Sequence, residues 1–235
     1  LAGQTIVTSV PPGATSGAIT VVTPGGTAVS ASPFTVIVLP VIVQAPQSQT
    51  VTVGQTVSFT VVAASNGPEE YYWRKDGATL LGNPSAATAT LTIPVATLAD
   101  AGVYEAVVVN NAGAVTSAAA TLTVNPIPAT IALSGLAPTY DGAPKAVTAT
   151  TNPVGVAVQI TYDGAPTPPT NAGSYAVTAV VTDPNYVGTA GGTLTIGKAG
   201  ASVTLTGLTA TYDGAPKPAS VTTSPTGLAV QLTYG

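Results

Sequence analysis

Apolar and polar residues alternate with a period of two along most of this chain, the spacing of half-buried β-strands. Val57, Phe59, Val61 and Ala63 share one face of a predicted strand, and Leu91 and Ile93 share one face of another. Val115, Ala118, Ala120, Leu122 and Val124 are assigned to the last strand of the same segment. Further on, Ile131 and Leu133 alternate with Thr130, Ala132 and Ser134, and Val156, Val158 and Ile160 repeat the pattern. Ala176, Thr178 and Val180 alternate with Val177, Ala179 and Val181. Gly and Pro, 25 and 21 residues respectively, punctuate these runs as turn formers do. No stretch has the 3.6-residue period of a long amphipathic helix, so the expected class is all-β.

A long internal repeat organises the second half. Residues 129–163 read ATIALSGLAPTYDGAPKAVTATTNPVGVAVQITYD, and residues 201–235 read ASVTLTGLTATYDGAPKPASVTTSPTGLAVQLTYG. They align without a gap at a period of 72 residues, with 20 of 35 positions identical. The first copy runs on to about Ala199, so residues 200–235 are expected to hold only the first half of a second repeat. Tyr-Asp-Gly occurs at 140–142, 162–164 and 212–214, and Asp-Gly marks a turn because Gly accepts positive φ. Together these residues resemble the Tyr-Asp-Gly, or MBG-type, repeats of large bacterial surface proteins. That resemblance implies an immunoglobulin-like sandwich serving as a surface or stalk module, without a catalytic site.

Residues 41–125 carry a different signature. Trp73 lies 12 residues beyond Val61, in Tyr71-Tyr72-Trp73-Arg74-Lys75-Asp76-Gly77, where a strand is followed by a turn. Asp100-Ala101-Gly102-Val103-Tyr104-Glu105-Ala106 has the order of a tyrosine corner. The segment resembles I-set-like immunoglobulin domains, with Val61 and Ala106 where such domains place their two cysteines. The resemblance implies that Trp73 and Tyr104 are buried, and that Val61 and Ala106 face each other across the sheets. Packing then replaces a cross-link of typically ~2–4 kcal/mol. Asn171-Ala172-Gly173-Ser174-Tyr175 in the first repeat is a second candidate corner.

Residues 1–38 end in short apolar runs around Pro24-Gly25-Gly26, with Ser32-Pro33-Phe34-Thr35-Val36 as an expected last strand. They resemble the C-terminal part of an IPT/TIG domain and are too few to enclose a core alone. The expected division is 1–39 (IPT/TIG-like end piece), 40–126 (immunoglobulin-like domain), 127–199 (MBG-type repeat) and 200–235 (first half of a second repeat). The joints, Pro40, Pro126-Ile127-Pro128 and Gly197-Lys198-Ala199-Gly200, are short, so an extended array of sandwiches is expected.

Composition narrows the chemistry. The chain contains no Cys, Met or His, which excludes disulfides, thiolate catalysis, Cys/His zinc sites and His-based triads from this segment. Charged residues make up 6%, against roughly 25% in ordinary soluble domains. The net charge is −4 and the only adjacent basic pair is Arg74-Lys75, so nucleic acid is not an expected partner. The longest apolar run, 34–43, is too short to span a bilayer.

Several residues invite a chemical reading. Glu69-Glu70 is the densest acidic site, but strand neighbours point to opposite faces and a glycosidase pair needs a shaped cleft, so a solvated loop is expected. The Tyr-Asp-Gly triplets could stack on sugar or ligate calcium, but their spacing lacks clustered oxygens. The four lysines show no spacing that identifies a Lys–Asn cross-link. No catalytic, cofactor or metal residue is therefore assigned. The leading reading is a stalk, fibre or surface-layer segment of a bacterial extracellular protein, whose sparse surface charge favours contacts with copies of itself. One alternative is an adhesin binding glycan or a cell-surface protein through loops such as 66–72 or the Tyr-Asp-Gly turns. Another makes these modules spacers of a secreted enzyme.

Overall fold

The computed structural model describes residue 5 and residues 7–234. Residues 1–4 and 6 of the N-terminal piece, and Gly235 of the second copy, lie outside the described residues. The chain divides into two units, Leu1–Ile127 and Pro128–Gly235. Among the described residues the regular structure is β apart from two 3-10 turns, and no helix is long and apolar enough to cross a membrane.

The first unit opens with an exposed hairpin, β1 (Thr20–Thr23) and β2 (Gly26–Val29), turning at Pro24-Gly25. The last strand expected at 32–36 is reduced to a single bridge between Phe34 and Gly17. Few apolar neighbours are at hand to cover a longer strand, and Phe34 is itself exposed.

A two-layer sandwich follows. One layer runs β4 (Gln49–Thr52), β12 (Ala120–Asn125), β10 (Gly102–Asn110), β7 (Glu70–Lys75) and β8 (Ala78–Thr79), with β11 (Gly113–Thr116) also on β10. β4 is parallel to β12 and the other pairs are antiparallel. The other layer pairs β3 (Val41–Gln44) with β6 (Val62–Ala64), and β5 (Val57–Thr60) with β9 (Thr90–Ile93). β5 and β6 form one run interrupted at Val61, whose N–H still donates to Ala89 O at 2.9 Å.

The core between the layers contains Val57, Phe59, Val61, Trp73, Leu91, Tyr104, Ala106, Val108, Ala120 and Leu122. Trp73 is fully buried and its indole N–H donates to Thr88 O at 2.9 Å, so no polar atom is stranded. The Phe59 ring stacks on Tyr104 at 4.9 Å between centroids and lies 6.3 Å from Trp73. Val61 and Ala106 are both buried in this cluster, and Ala106 is directly opposite Trp73 in the β10–β7 ladder.

The last strand departs from expectation at Ala118, which is exposed, while Ser117 is buried. Val107 pairs with Thr116 but Tyr104 pairs with Ala120, so one extra residue is inserted on the β11–β12 side. Such a bulge reverses which residues face inward. The Ser117 hydroxyl fills the gap by accepting from Ala106 N–H at 3.0 Å and donating to Ala118 O at 2.9 Å.

The outer edge of β9 is closed by side chains rather than by another strand. Thr92 N–H donates to Ser85 Oγ at 2.8 Å, and the Asn83 amide donates to Thr92 O at 2.9 Å. A 3-10 turn over Pro84–Ala87 holds both residues there. An edge sealed in this way cannot recruit a foreign strand at that position.

β13 (Ile127–Pro128) precedes the second unit's sandwich of two layers. β14 (Thr130–Ser134) pairs with β15 (Thr148–Asn152), while β16 (Val158–Tyr162), β17 (Gly173–Val181) and β19 (Thr189–Ile196) form the other layer, with β18 (Tyr186–Val187) before β19. Val147, Tyr162, Val177, Leu194 and Ile196 make its core, flanked by Leu133, Leu136, Ile160 and Tyr175. The second copy contributes β20 (Ser202–Thr206) and β21 (Ser220–Ser224). Its register reproduces the first: Ile131 faces Thr151, and Val203 faces Thr223.

Truncating Trp73 removes the largest side chain between the layers. Trp73→Ala is expected to lower unfolding free energy by about 3–5 kcal/mol, measured by urea denaturation. A loss below about 1 kcal/mol would contradict the packing described.

Candidate functional site

Most residues singled out for chemistry have a structural partner. Tyr104 Oη donates to Asp100 O at 2.7 Å, forming the expected corner. Burial, then the charges of Asp100 and Asp76, push this phenol up to about 12. Tyr175 Oη donates to Asn171 O at 2.9 Å, so the second candidate corner also forms.

Beside each corner sits an Asp-Gly turn that motif spacing did not connect to it. Asp76 and Gly77 both have positive φ, 51° and 81°, as a tight hairpin between β7 and β8 requires. Asp76 N–H donates to Val103 O, and Asp76 Oδ1 accepts from Val103 N–H, both at 2.8 Å. That backbone donor holds the Asp76 carboxyl below the usual carboxylate range. Asp163 and Gly164 repeat the turn with φ of 47° and 86°. Asp163 N–H donates to Ala176 O and its Oδ1 accepts from Ala176 N–H, again both at 2.8 Å. A turn aspartate thus clamps the backbone residue beside the corner tyrosine in both sandwiches. Gly102 leaves room for the first clamp, since a Cβ there would meet the Asp76 carboxylate at 2.7 Å.

The Tyr-Asp-Gly triplets divide by role. The 162–164 triplet is the clamp just described. At 140–142 and 212–214, Asp141 Oδ1 accepts from Ala143 N–H at 2.9 Å and Asp213 Oδ1 accepts from Ala215 N–H at 3.0 Å. Lys145 and Lys217 pair with these carboxylates and hold both below the ordinary range. Lys75 Nζ donates to Ala99 O at 2.8 Å.

Glu69 and Glu70 do not converge on one point. Tyr71 Oη donates to Glu69 and Tyr72 Oη donates to Glu70, and each carboxylate pushes its phenol upward. Glu70 lies within β7 rather than in a loop, paired with Val109. The supposed loop 66–72 is therefore strand from Glu70 onward. Among the described residues, no three of His, Cys, Asp or Glu gather around a possible metal position.

Concavities among the described residues include a shallow one in the first unit beside Asn83, Pro84 and Pro94, and several in the second unit, three of which bear on the repeat. A cleft of about 380 Å³ at the joint between the copies is lined by Tyr140, Asn171, Lys198, Gly200, Pro225 and Leu228, among others. A groove of about 500 Å³ runs between β15 and β16 past Thr150, Val154, Val156 and Val158. Its counterpart of about 420 Å³ in the second copy passes Thr222, Thr226, Leu228 and Val230, each 72 residues on.

With this geometry in view, residues 129–200 and 201–235 match the MBG domain family, and residues 40–110 match the immunoglobulin domain family. Both are families of typically non-catalytic modules. Among solved structures, titin M4 shows 28% identity over 37% of this chain and 95% of its own, with a TM-score of 0.33. Titin domains z1z2, solved in complex with telethonin, show 24% identity over 68% of this chain and 98% of theirs, at 0.42. The four N-terminal Ig domains of Dscam1 isoform 6.9 show 24% identity over 74% of this chain and 51% of theirs, at 0.41. No curated protein matches the chain.

Two outcomes follow from the site geometry. The folded state keeps the Tyr104 proton up to about pH 12, whereas an ordinary tyrosine releases it near 10.0. Tyr104 therefore contributes stability that is complete below pH 10.0 and is lost as pH rises toward 12. Tyr104→Phe should lose about 1 kcal/mol at neutral pH and flatten this alkaline limb, read by denaturation across pH. An unchanged limb would refute the assignment. Chelators or millimolar calcium should leave the melting temperature within about a degree, since no cluster of acidic side chains forms among the described residues; a rise of several degrees would overturn that expectation.

Proposed function

We propose that this chain is a structural stalk, fibre or surface-layer segment of a bacterial extracellular or cell-surface protein, carrying no catalytic step itself. In this reading it comprises an IPT/TIG-like end piece (1–39), an immunoglobulin-like domain (40–126), an MBG repeat (127–199) and the first half of another (200–235). The observation that carries it is what the 72-residue repetition preserves. Val147 N–H donates to Tyr162 Oη and Ala219 N–H to Tyr234 Oη, both at 2.8 Å. Val156 N–H and Leu228 N–H both donate to a threonine hydroxyl five residues back, at 3.2 and 3.3 Å. The repeated contacts maintain the scaffold, as expected where the module itself is the product. Its most natural partners are then copies of itself.

The joint cleft favours a second reading, recognition of a glycan or cell-surface protein, because Tyr140 offers a ring beside the polar Asn171 and Lys198. Protease treatment of intact cells from the native source should remove the protein from whole-cell immunoblots. Protection until the cells are lysed would reject the surface assignment. A glycan panel should leave the melting temperature unchanged, whereas a saturable rise with one sugar would select the recognition reading.

A further inference from the structure

We propose that Asn66 is a site of spontaneous deamidation, and that this reaction releases a latch holding residues 36–39 across one end of the immunoglobulin-like domain. The inference rests on the hydrogen bonds of one loop and not on the proposed surface role, so either can fail alone.

The latch is built from two asparagines. Asn66 lies in the loop before β7 and Asn110 ends β10, and the β10–β7 ladder brings both to the same end of the sandwich. The Asn66 side-chain amide donates to Val36 O at 2.6 Å and accepts from Val38 N–H at 3.1 Å. These are the two bonds a neighbouring strand would make, supplied here by one side chain. Val36 O can only accept and Val38 N–H can only donate, so the amide has one orientation. Asn110 is buried, and its Nδ2 donates to Val38 O at 2.7 Å and to Ser65 Oγ at 3.0 Å. Packing follows the same path: a Cβ at Gly67 would lie 3.4 Å from Ile37, and one at Gly113 would meet Leu39 at 2.8 Å. On its other side the segment is tied to the end piece, where Ser16 Oγ accepts from Val36 N–H at 2.9 Å.

Asn66 is also the only asparagine of the chain followed by glycine, whereas Asn83, Asn125 and Asn152 precede proline, which has no N–H to react. In the reaction the Gly67 backbone nitrogen, having lost its proton, attacks Asn66 Cγ. The N–Cγ bond forms, the Cγ–Nδ2 bond breaks, and Nδ2 takes up a proton and leaves as ammonia. Water then opens the cyclic imide at one of its two carbonyls, giving aspartate or isoaspartate, with nothing oxidised or reduced. Glycine favours the attack because it has no Cβ to obstruct it.

The closed latch opposes this chemistry at both reacting groups. Gly67 N–H donates to Ser65 Oγ at 3.3 Å, and Asn66 Nδ2 is held by Val36 O. Reaction therefore proceeds from the open latch, a local opening that leaves the core intact. Afterwards position 66 carries a carboxylate, which has no donor for Val36 O. Two acceptors cannot remain 2.6 Å apart, and turning the planar group away also withdraws the oxygen that accepts from Val38 N–H. Opening is reversible before the reaction and permanent after it.

The test incubates the full chain beside a synthetic peptide of residues 62–71 in mildly alkaline buffer, with conversion at Asn66 read by peptide mass spectrometry. The two hydrogen bonds on Asn66 predict deamidation roughly 10–100-fold slower in the chain than in the peptide. Ile37→Ala strips the packing on Gly67 without touching the core, and should speed the reaction in the chain several-fold. Equal rates in chain and peptide, or a rate indifferent to Ile37→Ala, overturn the proposal. So does a chain still unconverted after roughly a hundred peptide half-lives. The product is made directly as Asn66→Asp in isotopically labelled full chain. Amide exchange at Val38 should then rise at least about tenfold, while the fluorescence of Trp73, the one tryptophan, stays unchanged. Exchange at Val38 that is unchanged or slower overturns the release step.

Discussion

Two sheets that share no covalent link stay together only if something large is wedged between them. In the first unit that wedge is Trp73, packed near Phe59 and satisfied by Thr88 O. Phe59 belongs to one layer, Trp73 and Tyr104 to the other, so the aromatic contacts cross the sandwich. Ala106 opposite Trp73 in the ladder is small enough to leave the indole its space. Val61 and Ala106, where the resemblance to immunoglobulin domains places cysteines, are thus absorbed into a continuous buried apolar cluster. The Tyr104 corner and the Asp76 clamp then fix the chain where it enters β10, so the wedge is held in a defined frame.

The clamp also shows why one tripeptide can serve two ends. Asp-Gly permits positive φ at consecutive residues, and a carboxylate is a strong acceptor for backbone N–H. Which N–H it finds depends on the partner strand. Asp163 lies between β16 and β17 and meets Ala176; Asp141 lies in a longer connection and meets Ala143 two residues on. Identical residues give different structures because the local preference leaves the choice of donor open, and tertiary pairing makes it.

This explains which parts of the structure were legible in the sequence. Alternation located the strands around Phe59, Leu91, Ile131 and Val177 because burial of one face enforces a period of two. Trp73 and both tyrosine corners were legible because each combines an unusual residue with a fixed offset. The bulge at Ser117 was not, since a single inserted residue leaves each half of the strand alternating normally and only shifts their phase. The edge seal by Asn83 and Ser85 was equally hidden, because its acceptor Thr92 O and donor Thr92 N–H are backbone groups that any residue would supply. For the candidate site, Glu69 and Glu70 were expected in a solvated loop, and Glu70 instead lies in β7 because its backbone pairs with Val109 of the neighbouring strand, which local sequence does not reveal. The clamp by Asp76 needed the neighbouring strand in place.

The burial of Val61 and Ala106 in one apolar cluster without a cross-link has a mechanical consequence. A disulfide between the layers would lock the enclosed chain into a loop and withhold it when the domain is pulled apart. With apolar packing alone, nothing is withheld once the sheets separate. Residues 41–125 drawn out fully would span roughly 300 Å at about 3.5 Å per residue. Under tension the domain can yield its entire length, absorb work as it does so, and recoil by refolding when the load falls, with no bond to be re-formed by an oxidant.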